Sequence, residues 1–423
     1  MTEPQWHTQP RIELNVPEAL QLAIDHMLVR QFEPAHNLFR AVHEAEPSNF
    51  QAANGVGMCL AEMGRHAEAL PFLERAGQLA RADMLAVSCN YARSLGELGR
   101  SEEAERMVNA IIASHPGHAP SYLNRGILRM QRERWEDAIE DFDRSIACNP
   151  DGDNHLAIYS RGFANLVLGR YKEGFEGYEY RMKTGDIPGV PEWKGEDLTG
   201  KTILVHEDQG LGDNIQYLRF VPGLVERAAH VYCVMDMPVR PLAEQIPGVT
   251  MLSRDRETWP RLDCWVRMMS LAYGFGITQD TVPPPLKPRY DGMRLEEWSE
   301  RLGRPHRQSR FKVGLVWSGN PLSKYDAHRS IPFRELEPLF DVPGVHFYSL
   351  QLGVRDRDRP GFDNALRTRP LTDISGDLTD FSETAHAMRC LDLMITCDTS
   401  VAHMAGTVGI PTIVMLTKYR TYW

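Results

Sequence analysis

Apolar positions along the first part of the chain keep a helical spacing, whereas from Lys201 onward they gather into short runs that alternate with helical stretches. The runs "KTILVH", "HVYCVMD", "VTMLS", "DCWVRM", "KVGLVW", "VHFYSL", "LDLMIT" and "TIVML" read as short strands of parallel sheets with crossover helices, "LDLMIT" and "TIVML" as fully buried ones. Helices are expected from Asn214 to about Arg227, near "VRPLAEQI", over "MRLEEWSERLG", from "PFRELEPLF" and over the small residues that follow Ser400. Two α/β units in tandem result, joined through the proline-rich "TVPPPLKP".

The helical part repeats itself. Ala35, Ala69, Ala104, Ala138 and Gly174 recur at steps of 34, 35, 34 and 36 residues. Pro47, Pro116 and Pro150 close repeats, Gly57, Gly126 and Gly162 share one position, and Gly64, Gly99 and Gly169 mark the turn inside a repeat. Over about residues 15 to 183 this resembles the tetratricopeptide repeat, and five helix pairs of that kind stack into a superhelix whose concave face holds a peptide or protein segment. The helical pattern stops at "TGDIPGVPEWKGEDLTG", so domains are expected at 1–183, 184–298 and 299–423.

Open parallel sheets bind ligands beyond the carboxyl ends of their strands, and four loops lie there. The first, "EDQGLGDNIQ", carries Gly210, Gly212 and Asp213; the carboxylate is either a helix cap or a functional group, and the glycines, which permit positive φ and close approach, favour the second. The loop after "KVGLVW" holds Ser318, Asn320, Ser323, Lys324, His328, Arg329 and Ser330, a density of donors suited to an anion, although Lys324 and Arg329 also fit solvated charges. Asp356 and Asp358 form a D-x-D pattern in the third loop, where interleaved arginines indicate a solvated segment rather than a metal site. In the fourth, "CDTSVAHMAGTVGIP", the backbone N–H groups of Thr399, Ser400 and Val401 open a helix and favour a phosphate. Asp380 with Glu383 reads as a capping box on the preceding helix, and His403 is either packed or ligand-facing.

Composition narrows the field. A formal net charge of −10, with no block of Lys and Arg, excludes a nucleic-acid backbone as the expected partner. The N-terminal stretch lacks an apolar run of the leader type and no stretch reaches the length of a membrane span, so a cytoplasmic protein is expected. Seven cysteines form no CxxC pair or zinc spacing and are expected to be reduced core residues.

Taken together, "EDQGLGDNIQYLRFVP", "KVGLVWSGNP", "RSIP", "SLQLG" and "DLMITCDTSVAHMAGTVGIPTIVML" resemble the glycosyltransferases of family 9, the heptosyltransferase group, in their tetratricopeptide-linked form. A remoter likeness is to the O-linked N-acetylglucosamine transferase. The resemblance spans about residues 170 to 418 and implies a GT-B fold: two Rossmann-like lobes, a nucleotide-sugar donor between them, no further cofactor and no metal. It implies that Asp213 is the base for the acceptor hydroxyl and that Arg329 contacts the diphosphate. Thr399, Ser400, Val401 and His403 match the D-T-x-x-x-H turn, and Gln351 lies near the nucleotide. Members of the group continue past the final strand, whereas this sequence stops at "LTKYRTYW", so a shortened second lobe is expected. The expected function is transfer of a sugar to a hydroxyl of a protein held by the repeats. The alternatives are a non-catalytic interaction scaffold with a degenerate transferase domain, and a transferase with a lipid-linked or polysaccharide acceptor.

Overall fold

The computed structural model describes residues 14–80, 84–181, 186–303, 311–323 and 326–416. The chain divides into two compact units, Met1–Ala164 and Asn165–Trp423.

In the first unit helices come in pairs: Val16–Leu28 with Phe32–Ala45, Phe50–Glu62 with His66–Leu79, Met84–Glu97 with Ser101–Ser114, and Ala119–Gln131 with Trp135–Ala147. Each recurring alanine, at 35, 69, 104 and 138, is fully buried. The shared glycine position is a close approach, since a Cβ on Gly57 would stand 2.5 Å from Leu73 and one on Gly126 would stand 2.5 Å from the Phe142 ring. Gly64 and Gly99 turn the chain with φ of +77° and +78°, as the sequence leads one to expect. In repeats one and four the same turn is made by Arg30 and Glu133, at φ of +60° and +59°, which the glycine pattern alone did not reveal. Asn15 and Glu18 form a reciprocal capping box on the first helix, at 3.0 and 3.1 Å.

The helix His155–Val167 runs across the division, and Tyr171–Tyr178, which the repeat spacing assigns to a fifth pair, lies in the second unit.

That unit contains two parallel sheets. Strands β1 (Thr202–His206), β2 (His230–Val234), β3 (Val249–Met251) and β4 (Cys264–Arg267) take the order β3-β2-β1-β4. Strands β5 (Phe311–Val316), β6 (Val345–Ser349), β7 (Leu371–Asp373), β8 (Leu393–Cys397) and β9 (Thr412–Met415) take the order β7-β6-β5-β8-β9. Both orders reverse beside the first strand of the sheet, so β1 and β4, and β5 and β8, flank the switch points where a ligand crevice opens. Trp317, Phe333, Phe340, Phe347 and Phe362 form a buried aromatic cluster under the second sheet, with Trp317 and Phe333 centroids 5.0 Å apart.

Several expected elements are redrawn. Pro222 lacks an amide proton, and the stretch expected as one helix becomes Leu211–Tyr217, a 3₁₀ turn Leu218–Phe220 and Val221–Val225. "PFRELEPLF" is a 3₁₀ helix, Phe333–Asp341, with Pro338 inside it. The capping box at Asp380 is only half present: Asp380 accepts from the Glu383 amide at 2.9 Å, but the Glu383 carboxylate is taken by Arg294 at 2.9 and 3.0 Å and by the Trp298 indole at 3.0 Å. The two sheets are joined by hydrogen bonds from Phe381 N to Pro238 O at 3.0 Å and from Asp291 N to His386 Nε2 at 2.9 Å.

Candidate functional site

The loop after β1 is built by its own backbone, the Asp213 carboxylate and the Asn214 amide. Gly210 starts the Leu211–Tyr217 helix, and its N–H donates to Asp213 Oδ2 at 3.0 Å. Asp213 therefore serves as a cap. Asn214 closes the turn from the other side, accepting from Asp208 N at 3.2 Å and donating to Gly210 O at 2.9 Å. Gly210 and Gly212 do not take the positive φ expected of them; Gln209 does, at +60°. What Gly212 supplies is room.

A Cβ on Gly212 would stand 2.6 Å from His403 Cδ2, 3.1 Å from Ser400 Cα and 3.2 Å from His403 Nε2. The first turn of the Ser400–Val408 helix thus lies directly against the Leu211–Tyr217 helix. Thr399 is extended, at φ −143° and ψ 176°, and its side chain caps nothing. The helical ladder opens with Ala402 N donating to Thr399 O at 2.9 Å, so among the described residues the Ser400 and Val401 N–H groups meet no acceptor. Gly409, at φ +77°, ends the helix as expected, whereas Gly406 is exposed and packs against nothing.

Burial pushes the Asp213 carboxyl above its ordinary range; the Gly210 N–H and His403 oppose this, while the charges of Asp208 and Asp398 add to it. Burial likewise lowers His403, against the pull of Asp213 and Asp398 and with a small contribution from Arg219. A neutral imidazole at pH 7 follows, since the group starts from 6.5.

The β5 loop meets the same helix start. Arg329 Nη1 donates to the Asp398 carbonyl at 3.0 Å, immediately before Thr399, while its Nε makes no hydrogen bond. Gly319 leaves the space for that guanidinium, because a Cβ there would stand 2.8 Å from Nε. Asp326, buried, ties the loop together: it accepts from Ser330 Oγ at 2.8 Å and pairs with Arg355. Ser318 Oγ and Arg355 Nε are buried and without a hydrogen-bond partner. Asn320 is exposed and folded on its own turn, accepting from Leu322 N at 3.0 Å, and Lys324 lies outside the described residues.

Two expectations need correction. Gln351 is buried with all four of its amide positions in use: Oε1 accepts from Trp317 N and Ser318 N at 3.0 and 2.9 Å, and Nε2 donates to the carbonyls of Ser318 and Leu352 at 3.1 and 3.0 Å. It clamps the ends of β5 and β6 and has nothing left for a nucleotide. The third loop is also less solvated than its charge suggests, for Asp358 is buried and accepts from Phe333 N at 3.1 Å, whereas Asp356 is exposed.

Sequence reasoning missed Asp326, Arg355, Asn214 and the pair Arg181 and Asp208. Arg181 donates to Asp208 Oδ2 at 3.0 Å from Nε and at 2.6 Å from Nη2, across 27 positions of sequence. The one local signal was the spacing of Asp326 with Arg329 and Ser330, three and four residues on.

The family model of the tetratricopeptide repeat matches residues 20–83 and 90–153, so the first unit carries such repeats. Protein FlbA of Caulobacter vibrioides is 28% identical over 425 residues, covering 91% of this chain and 68% of the relative. Among solved structures, the tetratricopeptide protein TTC0263 of Thermus thermophilus aligns with 39% of this chain and 89% of its own, at 16% identity and a TM-score of 0.36. MamA of Desulfovibrio magneticus aligns with 39% and 91%, at 18% identity and a TM-score of 0.31.

Proposed function

We propose that the second unit is a glycosyltransferase that moves a sugar from a nucleotide-sugar to a hydroxyl of a protein or peptide held by the repeats. The observation that carries this reading is the approach at Gly212, which brings Asp213 from the β1 loop beside His403 and the unpartnered amides of Ser400 and Val401. A diphosphate seated on those amides gains from the helix N-terminus and from Arg329, whose guanidinium sits one residue upstream on the Asp398 carbonyl. Negative charge grows on the departing diphosphate as the glycosidic bond breaks, and these donors stabilise it. Asp213, raised by burial, takes the proton of the attacking hydroxyl, and attack from the side opposite the leaving group inverts the anomeric carbon. On the acceptor side, Asn90 and Asn124 share one register of the repeats, and Asn90 Nδ2 donates to Asn54 Oδ1 of the preceding repeat at 3.1 Å.

The test is a panel of radiolabelled nucleotide-sugars offered to the wild-type protein and to Asp213→Ala. Label should enter protein with the wild type, and the variant should lose at least about a hundredfold in rate while still binding donor. Neither transfer nor donor hydrolysis by the folded wild type would favour the scaffold reading instead.

A further inference from the structure

We propose that Arg181 is a positioning residue for Asp213, fixing the loop 207–210 through Asp208 so that the Asp213 carboxylate is held on the Gly210 amide beside His403. The inference rests on the reading of Asp213 as the base. Arg181 lies past the last helical turn of the segment that the sequence assigns to the repeats, yet it belongs to the second unit, and its side chain is 3% exposed.

The connection is continuous. Arg181 grips Asp208 Oδ2 with two nitrogens, Asp208 N donates to Asn214 Oδ1, Asn214 Nδ2 donates to Gly210 O, and Gly210 N donates to Asp213 Oδ2. Arg181 is itself fixed by Glu179 at 2.9 Å, by Ser270 Oγ at 2.9 Å and by the Tyr178 ring 5.3 Å away. An arginine so enclosed is aimed at something, and the other end of its chain of bonds is the proposed base. The intervening Gln209 holds a left-handed backbone that a side-chain-bearing residue adopts only when its neighbours impose it.

The arrangement also has an electrostatic consequence. Asp213 is faced by Asp208 from its own loop, by His403 and Asp398 from the β8 side, and by Tyr217 one turn along its helix; Arg219 acts on His403. Removing the Arg181 cation leaves the Asp208 anion uncompensated near Asp213, which then gives up its proton less readily.

The experiment is a pH titration of full-length protein carrying γ-¹³C aspartate, with the Asp213 signal identified by its loss in Asp213→Asn. Arg181→Gln should move the Asp213 midpoint up by about one pH unit, Arg181→Lys should leave it near wild type, and Asp208→Asn should move it down. A purely structural role for Arg181 would lower the melting temperature and leave the midpoint in place. An unmoved midpoint in folded Arg181→Gln overturns the proposal; should that variant not fold, an unmoved midpoint in Asp208→Asn does so. If the midpoints shift but Asp213→Ala still transfers sugar, the assignment of the base fails and the positioning stands. If Asp213→Ala is inactive and the midpoints do not shift, the positioning alone fails.

Discussion

Gly212 is the residue on which most depends, because the absence of a side chain there sets how closely the β1 loop and the Ser400 helix approach. In Gly212→Ala the new methyl meets the Ser400 backbone at 3.1 Å as well as the His403 ring, and backbone does not swing aside as a side-chain tip does. The variant should fold, lose about 1 to 3 kcal/mol of stability and bind a nucleoside diphosphate at least about tenfold more weakly, as read by denaturant melts and calorimetry. Wild-type affinity in Gly212→Ala would show that this contact is only packing. Arg329 is held more loosely. It keeps one hydrogen bond, to the Asp398 carbonyl, and only a long ion pair from Nε to Asp326 at 3.8 Å.

Among elements, the repeats show what a glycine pattern does and does not encode. Gly126→Ala drives a methyl into the fully buried Phe142 ring and should cost about 1 to 3 kcal/mol, whereas Glu133→Gly, at a turn with φ +59°, should raise stability by about 0.5 to 1 kcal/mol. Thermal melts of the two variants check both signs. Strands β1, β4, β5 and β8 were legible because buried parallel strands are continuous apolar runs. By contrast β9, expected to be fully buried, is an edge strand with two of its four residues exposed, and β7, only three residues with two exposed, was not legible. Proline explains the helices that broke, at Pro222 and Pro338. The site was legible in part, since Asp213 and Ser400 follow strand ends and spacing marks them. Arg181 and Arg355 were not, because what places them is tertiary: one reaches Asp208 and the other Asp326, 27 and 29 positions away. Gln351 misled for the complementary reason: a polar residue at a strand end looks like a ligand contact until its four hydrogen bonds to backbone are counted.

At the scale of the molecule, a repeat array that can hold a protein segment and an α/β unit with two parallel sheets share one chain of formal charge −10. No helix among the described residues is long and apolar enough to cross a membrane. Within the second unit the central claim is that a nucleoside diphosphate sits where the Ser400 helix begins, with Asp213 alongside. Amide NMR of the ¹⁵N-labelled protein, titrated with a panel of nucleoside diphosphates, tests this most directly. The account predicts that at least one of them shifts the Ser400, Val401 and Gly212 resonances together and saturably. Saturating concentrations of every member that leave those three signals where they were would contradict it.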